Sequence, residues 1–176
     1  MELWQEYALN GQPIMNGGRS IADSPNTPGS LTAAASVWLY RRTKQGEIEL
    51  LFQKRSAKVD HFPNQYDLSA GGHVNYQESI LDAVLREAQE EIGVTIPAQE
   101  LRFLMTFASD SSFRHVFCVD WTNQPSQFNF NDQEVAAVRW VPLPDVDQFC
   151  QKYVKEPLAK DVAQFSFLIR WLNQHS

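Results

Sequence analysis

The sequence predicts an α/β sandwich, because strand-like segments flank one well-marked helix and further helices close the chain. The helix is read over Glu78–Ile92, where Leu81, Val84, Leu85, Ala88 and Ile92 recur at helical spacing and Gly93 stands at the C-cap position. The strands are read from apolar and β-branched runs bounded by Gly, Pro and Asn. At 176 residues the chain suits one compact domain spanning 1–176.

In chain order, Glu2–Ala8 reads as a strand and Asn10-Gly11 as a turn, giving an N-terminal hairpin over about residues 1–15. Asn16–Ser30, rich in Gly, Pro, Ser and Asn, reads as a loop. Thr32–Arg42 and Glu47–Arg55 form two strands around the turn at Thr43–Gly46, and Ser56–Asn64 is a loop. Tyr66–Val74 is extended and broken by Gly71-Gly72. After the helix come strands over Leu101–Ser109, His115–Thr122 and Val135–Val141. Pro144–Tyr153 and Leu158–Asn173 read as the closing helices, within about residues 144–174.

The net charge is -6 with a pI near 5.2. That excludes a basic surface of the kind used for polymeric DNA or RNA, but a small phosphorylated ligand remains compatible where a cation reverses the local charge. Cys118 and Cys150 make neither a disulfide framework nor a zinc site and read as buried thiols. No signal peptide or membrane span is legible, so no membrane partner is expected and the expected location is the cytoplasm. A homodimer is left open.

The helix carries an electrostatic defect. Glu87, Glu90 and Glu91 share one face, which at about 100° per residue is expected to lie away from the apolar stripe. Like charges at these spacings cost about 0.2–0.5 kcal/mol per pair. Carboxylates in the last turn also oppose the helix dipole, by about 0.3–1 kcal/mol each. Arg86, four residues before Glu90, offsets only part of this. A hard divalent cation would offset the rest, and Mg²⁺ or Mn²⁺ suits an all-oxygen donor set. A solvated charged face is the competing reading of the same residues.

The surrounding residues favour the cation. Gly72, five residues, Glu78, seven residues and then Arg86-Glu87-Ala88-Gln89-Glu90-Glu91-Ile92-Gly93-Val94 resemble the Nudix box, over residues 72–94. Ala88 stands where a larger aliphatic is more usual. Glu134-Val135 leading to Arg139–Leu143 is similar to a later segment of the Nudix hydrolase family. The resemblance implies an α/β/α sandwich with a mixed β-sheet and a loop-helix-loop catalytic motif. It implies hydrolysis of a pyrophosphate linkage in a nucleoside diphosphate derivative or a related small phosphorylated metabolite. Glu87, Glu90 and Glu91 would hold Mg²⁺ or Mn²⁺, while Glu78 and Arg86 would brace the motif. Gly71 or Gly72 would admit the backbone close to metal and phosphates.

One carboxylate must accept the proton of the attacking water, and Glu90 and Glu134 are the candidates. Arg55, His73 and Arg114 are the candidates for substrate contact: Arg55 as a bidentate phosphate ligand, His73 because it follows the glycine pair, and Arg114 at the head of a strand. The segments Phe52–Ser56 and Ser69–Val74 also resemble the isopentenyl-diphosphate isomerase-like branch. Those isomerases place a cysteine before the Gly-His pair, where this chain has Gly71, so hydrolysis is expected over isomerisation. A non-catalytic nucleotide-binding module is a further alternative, but such domains typically lose box carboxylates and none is lost here.

Overall fold

The computed structural model describes residues 3–20, 29–109, 112–131, 133–154 and 162–175. Nine strands form one sheet: β1 (Leu3–Ala8), β2 (Pro13–Ser20), β3 (Ser30–Arg42), β4 (Ile48–Arg55), β5 (Tyr66–Asp67), β6 (Ala70–His73), β7 (Arg102–Ala108), β8 (Ser112–Asp120) and β9 (Val135–Pro142). The helices are α1 (Ile80–Ile92), α2 (Val146–Tyr153) and α3 (Val162–Gln174).

The 13-residue β3 organises the sheet. Along one edge it pairs in turn with β1, β6 and β4, all antiparallel. Along the other edge it pairs with β8 in parallel, from Thr32↔Ser112 to Tyr40↔Asp120. The sheet is therefore mixed. Side chains of a strand alternate between faces, and β3 uses both. Ala33, Ala35, Val37 and Leu39 enter a core with Val84, Ala88 and Ile92 of α1. Trp38 and Tyr40 enter a second core with Val146 and Phe149 of α2 and Phe165, Leu168 and Leu172 of α3. Each fully buried aliphatic or aromatic side chain contributes about 1.5–3 kcal/mol. The result is an α/β/α sandwich.

Several boundaries differ from the sequence reading. The first hairpin runs on to Ser20, so Asn16–Ser20 is strand, not loop. Gly18, at φ +76°, and an irregular register between Trp4 and Glu6 absorb the extra residues. Residues 21–28 of the expected loop lie outside the described residues. The break expected at Gly71-Gly72 falls instead at Leu68-Ser69, and both glycines lie within β6. There Ser69 Oγ accepts from Leu39 N and donates to the Leu51 carbonyl, taking over backbone pairing. β8 begins at Ser112, three residues early, so Arg114 and His115 are strand-interior positions. Pro144 sits in a 3₁₀ turn over Leu143–Asp145 that leads into α2. Of the last expected helix, residues 158–161 lie outside the described residues.

Helix α1 begins at Ile80, two residues later than expected. Ser79 caps it, its Oγ accepting from Asp82 N at 3.0 Å. Gly93 ends it at φ 69°, ψ 27°, and Val94 N donates to the Ala88 carbonyl at 3.2 Å. Leu81, placed in the apolar stripe by sequence, is 39% exposed, while Ala83 joins the core.

Candidate active site

Two carboxylates of α1, Glu87 and Glu91, meet β6 at Gly72 and Gly71, and a third, Glu90, stands beside them on the helix. They are not equivalent. The Glu90 side chain is 52% exposed and that of Glu87 13%, while Glu91 as a residue is 5% exposed. This corrects the expectation that all three face away from the apolar stripe. Seven residues of α-helix fall only about 20° short of two full turns, so Glu91 shares the azimuth of buried Val84.

Glu91 survives burial through two donors. Gly71 N–H donates to Oε2 at 2.7 Å and Gln53 Nε2 donates to Oε1 at 3.2 Å. Burial, and next the charge of Glu87, still raise its pKa well above the usual carboxylate range. Gln53 is itself 1% exposed, and its Oε1 has no hydrogen-bond partner. The sequence reading passed over Gln53, although a polar residue two places after Leu51 occupies a position that alternation points toward α1.

Arg86 is the hub of the remainder. Nε and Nη2 grip Glu78 at 2.8 and 3.0 Å in a bidentate pair. Nη2 also donates to the His73 carbonyl at 3.0 Å, and Nη1 donates to Glu87 and Glu90, both at 2.9 Å. Burial alone would raise the Glu78 pKa, but the Arg86 contact and the Asn75 N–H, at 2.8 Å, more than offset it and the pKa ends lowered. The Glu78 bond likewise holds the Arg86 pKa high against burial. The expected bracing pair is thus in place, with Glu78 lying just before the helix cap.

Gly71 is sterically required by the neighbouring backbone, and Gly72 by the present position of the Glu87 side chain. A Cβ on Gly72 would lie 2.6 Å from the Glu87 carboxyl carbon. A Cβ on Gly71 would lie 2.7 Å from the Ala35 carbonyl oxygen. Glu87 can therefore rest against the strand only because Gly72 has no side chain.

Among the described residues no three His, Cys, Asp or Glu side chains form a ready metal cluster. Glu87 and Glu90 are turned to Arg86, and Glu91 to Gly71. The donor set nevertheless suits a hard divalent cation, since it offers carboxylate oxygens beside a side-chain-free strand.

The other sequence candidates are dispersed around this point. His73 lies at the end of β6, its ring stacked on Trp4 at 3.6 Å and 6°. Burial, then Arg114 and Arg19, lower its pKa to about 4. Arg114 is exposed on β8. Arg55 is engaged elsewhere: Nε donates to the His61 carbonyl at 3.0 Å and Nη1 lies 3.9 Å from Asp67. Glu134 is exposed just before β9, and its carbonyl accepts from Ser56 N at 2.6 Å. Its neighbour Val135 pairs with Arg55, two residues along β4 from Gln53. Trp4 and Arg19 are additional neighbours of His73, and spacing gave no sign of them because they lie 69 and 54 residues away in sequence.

Both cysteines are buried in the core under α2 and α3. Burial pushes each thiol up to about 12. Gly71 precedes Gly72-His73, and no described thiol stands at the site.

Residues 30–165 match the model of the NUDIX domain. A Nudix hydrolase of Arabidopsis thaliana, Nudix hydrolase 3, is 29% identical over 136 residues, covering 70% of this chain but only 17% of that protein's length. An uncharacterized Nudix hydrolase of Listeria monocytogenes is 29% identical over 147 residues, covering 84% of this chain and 83% of its own. The crystal structure of DR0079 from Deinococcus radiodurans superposes with a TM-score of 0.71 at 24% identity, covering 97% of this chain and 98% of that one. The box at residues 72–94, its glycine cradle and a domain match across most of the chain converge: this protein belongs to the Nudix hydrolase family.

Proposed function

We propose that this protein hydrolyses a pyrophosphate linkage in a nucleoside diphosphate derivative, with Mg²⁺ or Mn²⁺ held by Glu87, Glu90 and Glu91. The observation that carries this reading is the packing of Glu87 against Gly72 and Glu91 against the Gly71 N–H, beside an arginine that already bridges Glu87 and Glu90. An acidic protein can accept a pyrophosphate only if its carboxylates are neutralised. A bound divalent cation supplies that neutralisation, polarises the phosphoryl oxygens and acidifies a water.

The chain's own residues do the rest. Gly71 and Gln53 aim Glu91 and stabilise its charged form. Glu78 fixes Arg86, and Arg86 ties the helix to the His73 carbonyl, so the carboxylates keep their register against β6. Glu90, the most exposed of the three, and Glu134, on the loop before β9, are our candidates to accept a proton from water. Arg114 and His73 are assigned to substrate contact. Arg55 is assigned to bracing the 56–64 loop through His61 and Asp67.

The test is a panel of nucleoside triphosphates, dinucleoside polyphosphates, nucleotide sugars and coenzymes incubated with protein and Mg²⁺ or Mn²⁺. At least one is expected to be cleaved at a pyrophosphate bond, and Glu91→Gln is expected to abolish cleavage while leaving the fold intact. No cleavage across the panel, or undiminished cleavage by the variant, would overturn the reading. Comparing Glu90→Gln with Glu134→Gln across pH identifies the base, because only the base's removal eliminates the acidic limb of the kcat profile.

A further inference from the structure

The first hairpin delivers a buried arginine that has no anion. Arg19 sits opposite Trp4 in the β1–β2 ladder and is 8% exposed, its guanidinium carbon 5.6 Å from the Trp4 ring centre. Its Nε is buried with no hydrogen-bond partner, and the ion pairs among the described residues do not include it. Buried charges are normally paired, because an isolated one loses its hydration without return.

A second unpaired arginine lies close by. Ala34 of β3 pairs with His73 on one side and with Arg114 on the other. Residues in register across strands point the same way, so His73 and Arg114 emerge on one face of the sheet. Trp4 stacks on that His73 ring, bringing Arg19 to the same cluster. The ion pairs of the described residues omit Arg114 as well. Two guanidinium groups thus flank a Trp–His stack, and among the described residues no carboxylate forms an ion pair with either.

The cluster adjoins the candidate active site. Helix α1 reaches β6 through backbone groups at the strand's edge, the Gly71 N–H and the His73 carbonyl. A ligand at that edge can touch side chains of the opposite face, and His73 is the nearest of these along the strand.

We infer that Trp4, Arg19, His73 and Arg114 form a subsite for a phosphate group flanking the scissile pyrophosphate, so that the preferred substrate carries three or more linked phosphates. The inference rests on the hydrolase reading above for its place in catalysis, but not for binding itself. Two fixed cations match the extra charge of a further phosphate and have no such match in the neutral sugar of a nucleotide sugar.

The experiment has two arms. In the first, inorganic phosphate is titrated into the metal-free protein while the arginine Nε–H and tryptophan indole NMR signals are followed. Signals of Arg19 and Trp4 are expected to shift, with affinity falling about tenfold to a hundredfold in Arg19→Gln and Arg114→Gln. Arg114 is exposed, so its variant tests the subsite even where loss of Arg19 disturbs the hairpin. In the second arm, Mg²⁺-dependent kinetics compare a nucleoside triphosphate with a nucleotide sugar. Arg114→Gln is expected to raise KM for the triphosphate by a similar factor, and to raise the nucleotide-sugar KM by clearly less.

Phosphate binding that is indifferent to both arginines overturns the subsite, even if nucleotides are hydrolysed. Equal KM changes for the two substrates overturn its assignment to the extra phosphate. Arginine-dependent phosphate binding without hydrolysis of any nucleotide supports the subsite and sinks the hydrolase reading instead.

Discussion

Replacing Gln53 by Met separates what holds this domain together from what aims its chemistry. Gln53 is 1% exposed, makes one hydrogen bond to Glu91 and leaves its own Oε1 without a partner. Losing a bond to a charged group costs about 1.5–3 kcal/mol, and removing an orphaned buried acceptor returns about 1–3 kcal/mol. The two nearly cancel, and Met has a similar volume, so the metal-free protein is expected to change in stability by no more than about 1–2 kcal/mol. Metal affinity has no such compensation. Glu91 would keep only the Gly71 N–H, and loss of a residue that orients a ligand typically costs about 10–100-fold in affinity. Urea unfolding of the metal-free protein and Mn²⁺ binding followed by electron paramagnetic resonance measure the two quantities. A stability loss above about 3 kcal/mol with unchanged Mn²⁺ affinity would refute the reasoning and make Gln53 a packing residue.

Arg86→Gln is expected to destabilise the domain by about 2–4 kcal/mol in urea unfolding, since it takes the guanidinium from the His73 carbonyl and leaves Glu78 with only the Asn75 N–H, and Lys at this position should restore little because it lacks the bidentate fork. Gly93→Ala should cost at least about 1–2 kcal/mol, because it forces an L-residue to φ 69° and sets a Cβ 2.5 Å from the Asn129 carbonyl oxygen; a melting temperature within a degree of wild type would contradict this. The raised pKa of Glu91 favours its protonated form in the folded state. The Glu91 contribution to metal-free stability should therefore be fullest below the ordinary carboxylate pKa and be lost as pH rises through the raised one, while Mn²⁺ binding strengthens over the same range and releases a proton; calorimetry in buffers of different ionisation heat measures that proton. Cys118 and Cys150 should react with a thiol reagent only at the rate of unfolding, because both are buried and their thiolates disfavoured.

Local chemistry was legible wherever the sequence carries its own period or cap. The α1 stripe, Gly93 after it and the Glu78–Arg86 spacing all act within one helix and its flanks. The parallel pairing of β3 with β8 was not legible, because it joins segments about eighty residues apart through ladder bonds that any strand can make. The run Val37-Trp38-Leu39-Tyr40 told of a strand, but not that both its faces are buried or which helix covers which face. Ser69 hid a break in the extended segment, since its side chain bonds in place of backbone groups.

The sequence by itself determined the family, the helix of the 72–94 box and which carboxylates share it, because those depend on spacing along one rigid element. Only the tertiary structure decided how unlike those carboxylates are. Glu91 is buried and clamped by Gln53 and Gly71, Glu87 lies in the hollow of Gly72, and Glu90 stands in solvent. It also decided that Arg19 and Trp4, from the far N-terminus, stand beside His73. Helical spacing fixes direction about one axis. Burial, pKa and partners depend on which strands lie across from that axis, and these come from distant parts of the chain.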